Sequence, residues 1–108
     1  MTQACAGLTV VDATQGMAGG LATMVLADGG AEVIKIEPPR GDWARSQPAF
    51  SMWNRGKKSV VLDLKSQAGR DALSGVLGQA DVFLSAWSPE LWPLKSLCYR
   101  RSCAPTRV

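Results

Sequence analysis

The sequence predicts an α/β fold built on an open, mainly parallel sheet. Short apolar segments of strand length alternate with segments of helical length, in the order β-α-β-loop-β-α-β. The first apolar segment, "LTVVDAT" (8–14), is nearly continuous, which is typical of a strand covered on both faces. Because short joints connect the first strand, helix and second strand, these two strands must be parallel.

The second element is a helix over "QGMAGG" and "LATMVLAD" (15–28), followed by two glycines. Its apolar spacing predicts one buried face, made of Ala18, Leu21, Ala22, Val25 and Gly29. Gly29 and Gly30 end the helix, since glycine adopts the left-handed cap conformation without steric penalty. The next strand is "AEVIKIE" (31–37).

Residues 38–58 should be irregular because of Pro38, Pro39, Gly41 and Pro48. The segment "KSVVLDLK" (58–65) is the third predicted strand, and "DVFLSAW" (81–87) is the fourth. Between them we expect a helix that Ser66 caps and that runs to about residue 80. Its buried stripe is predicted from helical spacing to comprise Leu73, Val76, Leu77 and Ala80.

The charge and the pattern both divide the chain near residue 90. Residues 1–90 hold eight basic and nine acidic residues, a net charge of −1, whereas residues 91–108 hold four basic residues and no acid. We therefore expect a folded segment over 1–90 and a basic tail over 91–108. Such a tail could contact nucleic acid, but the simpler interpretation is that it lies outside the fold.

The composition also limits the classes of function. No apolar run approaches the roughly 20 residues of a membrane span, and no basic residue precedes the N-terminal apolar stretch as in a secretory signal. The three cysteines fit no metal-binding spacing and the chain has no histidine, so we expect no metal. A reducing cytoplasm is the expected location.

Ligands of open parallel sheets bind at the carboxyl ends of the strands. The loops predicted there are rich in cations, and three tryptophans could stack on a base: Trp43, Trp53 and Trp87. The expected cations are Arg40, Arg45, Arg55, Lys57, Lys58 and Lys65. We also expect the N-terminus of the first helix to favour an anion. Cations with flat aromatic rings suit a phosphorylated nucleotide.

A dinucleotide-binding Rossmann interpretation is only partly supported. Its fingerprint is G-x-G-x-x-G, and this chain has Gly16-x-x-Gly19-Gly20. Glu37 lies about 20 residues further on, where a ribose-binding acid belongs. The alternative is that Glu37 shapes the turn that follows it.

Two longer segments carry a resemblance that favours another ligand. "GLTVVDATQGMAGGLATMVLADGGAEVIKIEPPRGD" and "NRGKKSVVLDLKSQAGRDALSGVLGQADVFLSAWSP" resemble the opening of family III CoA-transferases, the relatives of formyl-CoA transferase, carnitine CoA-transferase and α-methylacyl-CoA racemase. The match covers residues 7–89. It implies a Rossmann-like partial unit that binds the adenosine 3′-phosphate diphosphate portion of CoA instead of NAD.

The resemblance assigns expected contacts with CoA. Met17 and Ala18 would face the thioester, and Lys57 and Lys58 would lie beside the phosphates. Arg40 would replace an arginine that some relatives have at the position of Pro38. The residues expected beside the adenine and the ribose are Leu62, Asp63, Leu64 and Lys65. A later segment that would also contact CoA comprises Ala86, Trp87 and Ser88. From the residues alone, Asp63 could equally anchor a turn.

The resemblance also implies a chemistry and an assembly. Family members transfer CoA from an acyl-CoA to a carboxylic acid through a nucleophilic aspartate downstream of the matched residues, and the racemase branch uses a downstream histidine and aspartate. They form interlocked homodimers. We therefore expect this chain to be an N-terminal, CoA-binding fragment that is inactive alone and cannot interlock. The alternatives are a non-catalytic nucleotide- or CoA-binding module and a nucleic-acid-binding fragment.

Overall fold

The computed structural model describes residues 3–86, which form a four-stranded parallel sheet. Its strands are β1 (Thr9–Asp12), β2 (Glu32–Glu37), β3 (Lys58–Val61) and β4 (Val82–Leu84), in the spatial order β3-β2-β1-β4. The register places Val10 of β1 opposite Val33 of β2 and Val82 of β4. The predicted open, parallel α/β sheet is confirmed. All four carboxyl ends lie at one edge, called the carboxyl edge below.

Three helices connect the strands: α1 (Met17–Asp28), α2 (Phe50–Trp53) and α3 (Gln67–Leu77). A 3-10 turn at Trp43–Ser46 precedes α2, so the expectation that residues 38–58 are wholly irregular is wrong. The cause is local, because the Asp42 carboxylate accepts a hydrogen bond from the Ala44 amide at 2.8 Å and caps this turn. Within residues 3–86, no helix is long and apolar enough to cross a bilayer.

The core lies on both faces of the sheet. On one face, Val11 and Ile36 pack with Leu73 and Leu77 of α3. On the other, Val10 and Val33 pack with residues near the end of α1. The predicted stripe of α3 is confirmed, and the hydroxyl of Ser66 caps this helix by accepting from the Gly69 amide at 3.0 Å.

The predicted buried face of α1 is wrong. Ala18 and Ala22 are exposed and Val25 is 63% exposed, whereas the buried residues of this helix are Gly20 and Thr23. The helix is oriented by a polar contact and by small residues, neither of which contributes to hydrophobic periodicity. The Thr23 hydroxyl donates to Asp12 at 2.7 Å, and Gly20 lies directly against the ring of Trp53.

Candidate functional site

A cavity of about 430 Å³ opens at the carboxyl edge, beyond the ends of β1, β2 and β3. Its volume falls in the range typical of small-molecule sites. Four predicted site residues line it together with Arg40: Leu62, Asp63, Leu64 and Lys65. Five lining residues were absent from the predicted set, although their places at the ends of β1 and β2 could have indicated them: Ala13, Gln15, Ile36, Pro38 and Pro39.

The cavity combines an apolar floor with cationic groups at its rim. Ile36, Leu62 and Leu64 belong to the core cluster on the α3 side, which continues into the cavity. Arg40 and Lys65 are exposed, and within residues 3–86 neither side chain makes an ion pair or a hydrogen bond. Such a surface suits a ligand with a flat, weakly polar part and an anionic group, because cations bind phosphate through charge-assisted hydrogen bonds.

The turn at residues 62–66 is fixed by its own hydrogen bonds. The Asp63 carboxylate accepts from the Lys65 amide at 3.0 Å, and the Ser66 hydroxyl donates to the Asp63 carbonyl at 2.8 Å. The Arg70 guanidinium donates to the carbonyls of Leu64 and Lys65 at 3.3 and 3.2 Å. Asp63 therefore anchors this turn, and its contact with a ligand stays a prediction.

Glu37 is engaged inside the protein. Its side chain is 2% exposed and accepts from Arg45 Nε and Nη2, both at 2.9 Å. Because one carboxylate oxygen faces each nitrogen, the two groups form a paired, two-bond contact. This geometry favours the interpretation that Glu37 shapes the turn over a ribose-binding role.

A buried network supports the loop between β1 and α1. The Asp12 carboxylate is fully buried and accepts from the Thr14 hydroxyl at 2.6 Å and from Lys57 Nζ at 3.2 Å. Lys35 Nζ lies 2.9 Å from the Asp42 carboxylate and donates to the Thr14 carbonyl at 3.1 Å. Two opposite-charge pairs therefore meet at Thr14, and pairing offsets part of the cost of removing these four side chains from water.

Lys57 belongs to this interior network and does not line the cavity. Its side chain is 2% exposed, and its ammonium also donates to the Gly20 carbonyl at 3.0 Å. Burial lowers the pKa of Lys57, while the charge of Asp12 opposes that shift. The structure thus gives this lysine a structural partner at the place where the resemblance implied a phosphate contact.

The remaining predicted residues are dispersed. Lys58 begins β3 and pairs with Glu32 at 2.9 Å at the amino edge, because a residue that starts a parallel strand lies opposite the carboxyl ends. Met17 is 56% exposed and Ala18 is exposed, both at the start of α1. Ala86 is exposed beyond the end of β4. Trp87 and Ser88 lie outside the described residues.

The expectation that six cations share the carboxyl edge is therefore wrong. Lys58 and Arg55 lie at the amino edge, where Arg55 pairs with Asp28 at the end of α1, and Lys57 is buried in the network with Asp12. Of the tryptophans, Trp53 is 2% exposed and belongs to the core, so it offers no stacking surface. Trp43 is 62% exposed.

The three glycines that resembled a fingerprint are required by packing within the protein. Gly16 has φ +85°, and a Cβ there would lie 2.7 Å from Trp43 Cζ2. A Cβ at Gly19 would collide with the Thr14 side chain. The spacing of these glycines therefore follows from side chains that cover the loop and α1.

The N-terminus of α1 already has an anionic partner. The Gly16 amide donates to the Asp42 carboxylate at 3.2 Å. Burial, the largest influence, would raise the pKa of Asp42, but the hydrogen bond from Lys35 and those from the amides of Ala44 and Gly16 together hold the pKa below its usual value. The Asp42 carboxylate thus lies at the terminus where we expected an anion, and binding of an anionic ligand there stays a prediction.

The lowered pKa of Asp42 predicts a pH-dependent contribution to stability. An acid whose pKa is lower in the folded state stabilises the fold above the unfolded value of 3.8, and this stabilisation is lost as the pH falls through the folded value. We expect Asp42→Asn to lower the free energy of unfolding at about pH 7 and to differ less from the wild type at about pH 3. Urea unfolding at both pH values measures this, and a difference that stays constant would contradict it.

Comparisons with known proteins identify the chain's relatives. The family model of CoA-transferase family III matches residues 5–101. The "Probable fatty acyl-CoA transferase Rv3272" of Mycobacterium tuberculosis is 42% identical over 94 residues, which cover 77% of this chain and 24% of the relative. Succinyl-CoA:mesaconate CoA-transferase of Haloarcula hispanica is 42% identical over 88 residues, which cover 69% of this chain and 22% of the relative.

Solved structures give the same result. A crystal structure of Rv3272 superposes with a TM-score of 0.78 at 40% identity, covering 88% of this chain and 28% of that one. A CAIB/BAIF family protein from Brucella suis superposes with a TM-score of 0.74 at 32% identity, covering 79% of this chain and 26% of that one. The chain thus spans about a quarter of the length of these relatives. The division at residue 90 stays a prediction.

Proposed function

This chain belongs to CoA-transferase family III, and from that premise we propose that its cavity binds the nucleotide end of coenzyme A. The observation that carries the proposal is the cavity itself, with an apolar floor beside Arg40 and Lys65, two cations that have no ion-pair partner among residues 3–86. We further propose that the site serves the transfer of CoA between an acyl-CoA and a carboxylic acid.

The names of the relatives support the choice of ligand. Succinyl-CoA:mesaconate, cinnamoyl-CoA:phenyllactate and formyl-CoA:oxalate CoA-transferases differ in both of their acids and share only CoA. This chain matches between 22% and 27% of each of these relatives, at 33–42% identity. A segment that is similar across enzymes with unrelated acids is suited to the ligand they share.

In the proposed complex, the adenine lies on the apolar floor formed by Ile36, Leu62 and Leu64. The 3′-phosphate lies between Arg40 and Lys65, whose side chains have no partner within residues 3–86. The chain of CoA then leads along Gln15 toward Met17 and Ala18, which stay predicted neighbours of the thioester. Ala86, Trp87 and Ser88 stay predicted contacts.

The second candidate function is a non-catalytic CoA-binding module. It is favoured because the cavity offers no free carboxylate among residues 3–86. Asp63 is the one acidic residue lining the cavity within residues 3–86, and the Lys65 amide engages it. Covalent acyl transfer needs a free nucleophile that can form an anhydride. Incubation with acyl-CoA donors and carboxylate acceptors separates the candidates, since a covalent acyl or CoA adduct on this chain would favour catalysis. We also propose a cytoplasmic location for this chain, and the interlocked homodimer stays what the resemblance implies for the longer family members.

The preference for the 3′-phosphate tests the proposed site. We expect the protein to bind CoA about tenfold more tightly than dephospho-CoA or NAD, because one charge-assisted hydrogen bond contributes roughly 1.5–3 kcal/mol. Arg40→Ala and Lys65→Ala should each reduce this preference. Leu64→Ala should weaken CoA and dephospho-CoA alike, because an apolar wall does not sense the phosphate. Isothermal titration calorimetry measures all of these affinities.

Lys58→Ala is the matched control for charge. Lys58 is an exposed lysine at the amino edge, paired with Glu32, so its removal changes the net charge equally without touching the cavity. Its variant should keep the full preference for CoA. Equal affinity of the wild type for CoA and dephospho-CoA would rule out the phosphate assignment, and tighter binding of NAD would restore the dinucleotide interpretation.

A further inference from the structure

An ion pair joins the two ends of the loop that follows β2 and lines the cavity. Glu37, the last residue of β2, accepts hydrogen bonds from Arg45 Nε and Nη2, both at 2.9 Å. The carboxylate is 2% exposed, whereas the arginine side chain is 51% exposed. A bidentate contact fixes the orientation of both planar groups, so the two ends of this loop have a defined separation.

The residues between these ends form one face of the cavity. Pro38, Pro39 and Arg40 line it, and the Gly41 amide donates to the Pro38 carbonyl at 2.8 Å, which closes the turn. The opposite side of the turn rests on Arg45, since a Cβ placed at Gly41 would lie 3.1 Å from Arg45 Cδ.

Arg45 is itself held by an aromatic ring. Its guanidinium carbon lies 5.0 Å from the centre of the Phe50 ring, within the range of cation–π contacts. Arg45 therefore contacts α2 through Phe50, β2 through Glu37 and the turn through Gly41. Three separate elements fix its side chain, although half of its surface is exposed.

We infer that Arg45 is a positioning residue that holds Arg40 at the cavity for recognition of the ligand's phosphate. The inference rests on the proposed function. A long arginine side chain loses rotamer freedom when it binds, so a backbone already fixed beneath it reduces the entropic cost. Glu37, which the sequence offered as a possible ribose ligand, would then act on the ligand only through Arg45 and the turn.

The test compares two ligands that differ in one phosphate. We expect Arg45→Ala to weaken CoA about tenfold, toward the affinity for dephospho-CoA, while the affinity for dephospho-CoA changes less than about twofold. Arg45→Lys should lie between wild type and alanine, because an ammonium cannot make the two parallel hydrogen bonds. Calorimetric titration of each variant with CoA and dephospho-CoA gives both affinities.

Arg55→Ala is the matched control. Arg55 makes a similar two-bond contact with Asp28, at 3.2 and 2.6 Å, and its side chain is 53% exposed, but it lies at the amino edge. Its variant should keep the wild-type preference for CoA. If Arg45→Ala does not fold, the double variant Glu37→Gln/Arg45→Met removes both charges together, and it should lose the preference in the same way.

The outcomes separate this inference from the proposed function. A variant at Arg45 that folds and keeps the full preference for CoA overturns the positioning role. Equal weakening of both ligands also overturns it, since that result indicates a general structural role. A wild type without any preference for CoA overturns the phosphate assignment and this inference with it.

Discussion

Replacing Lys57 with alanine is expected to lower the free energy of unfolding by about 3–5 kcal/mol. The variant leaves the fully buried carboxylate of Asp12 without its cationic partner. The carbonyl of Gly20 and the amide oxygen of Asn54 lose a donor as well. Because Asp12 also holds Thr14, the loop between β1 and α1 should lose order together with stability.

The neighbouring lysine provides the control for this experiment. Lys58→Ala removes an exposed ion pair, which typically contributes less than about 1 kcal/mol, so it should be close to neutral. The double variant Asp12→Asn/Lys57→Met should lose less than Lys57→Ala, because no unpaired charge remains buried. Urea unfolding followed by circular dichroism measures all three, and equal losses for Lys57→Ala and Lys58→Ala would refute the role of the network.

Alanine at Gly69 is expected to destabilise the protein by about 1–3 kcal/mol and to weaken CoA binding as well. A Cβ at this buried position of α3 would collide with the backbone carbonyl of Asp63. A backbone atom cannot move aside as a flexible side chain can, so α3 and the turn at residues 62–66 must separate. That turn carries Leu64 and Lys65 into the cavity.

Gly75 of the same helix is the matched control. No atom lies within 4 Å of a Cβ placed there, so Gly75→Ala meets open space. It should stabilise the protein by about 0.4–1 kcal/mol through the higher helix propensity of alanine. Thermal unfolding and CoA titration of both variants provide the measurement. Similar changes at Gly69 and Gly75 would contradict the contact between Gly69 and Asp63.

The sequence was sufficient where burial depends on the periodicity of apolar residues. The strands of the parallel sheet follow from short apolar runs, and α3 follows from Ser66 and from the stripe with Leu73 and Leu77. The turn at residues 62–65 and Arg40 were predicted as site residues, and they do line the cavity. In a parallel sheet, the order of strands alone brings these segments to one edge.

Periodicity failed where polar contacts decide the orientation of an element. The apolar residues of α1 predict that Val25 is buried, yet the helix turns Gly20 and Thr23 inward. Thr23 faces inward because its hydroxyl donates a hydrogen bond to Asp12. Gly20 faces inward because only a glycine leaves room for Trp53. The contact between Gly20 and Trp53 joins residues far apart in the chain, and the bond between Thr23 and Asp12 is polar, so apolar periodicity reveals neither of them.

By itself, the sequence determined the fold class, the family and the edge of the sheet where a ligand should bind. Only the tertiary structure decided which charges are free there. Glu37 and Lys57 each looked available to a ligand from the sequence, and each is engaged by a partner inside the protein. The physical reason is that a charged side chain removed from water must be paired, and its partner is set by three-dimensional packing instead of chain distance. Arg40 and Lys65 remain at the cavity because they are exposed to solvent, where an unpaired charge carries no such cost.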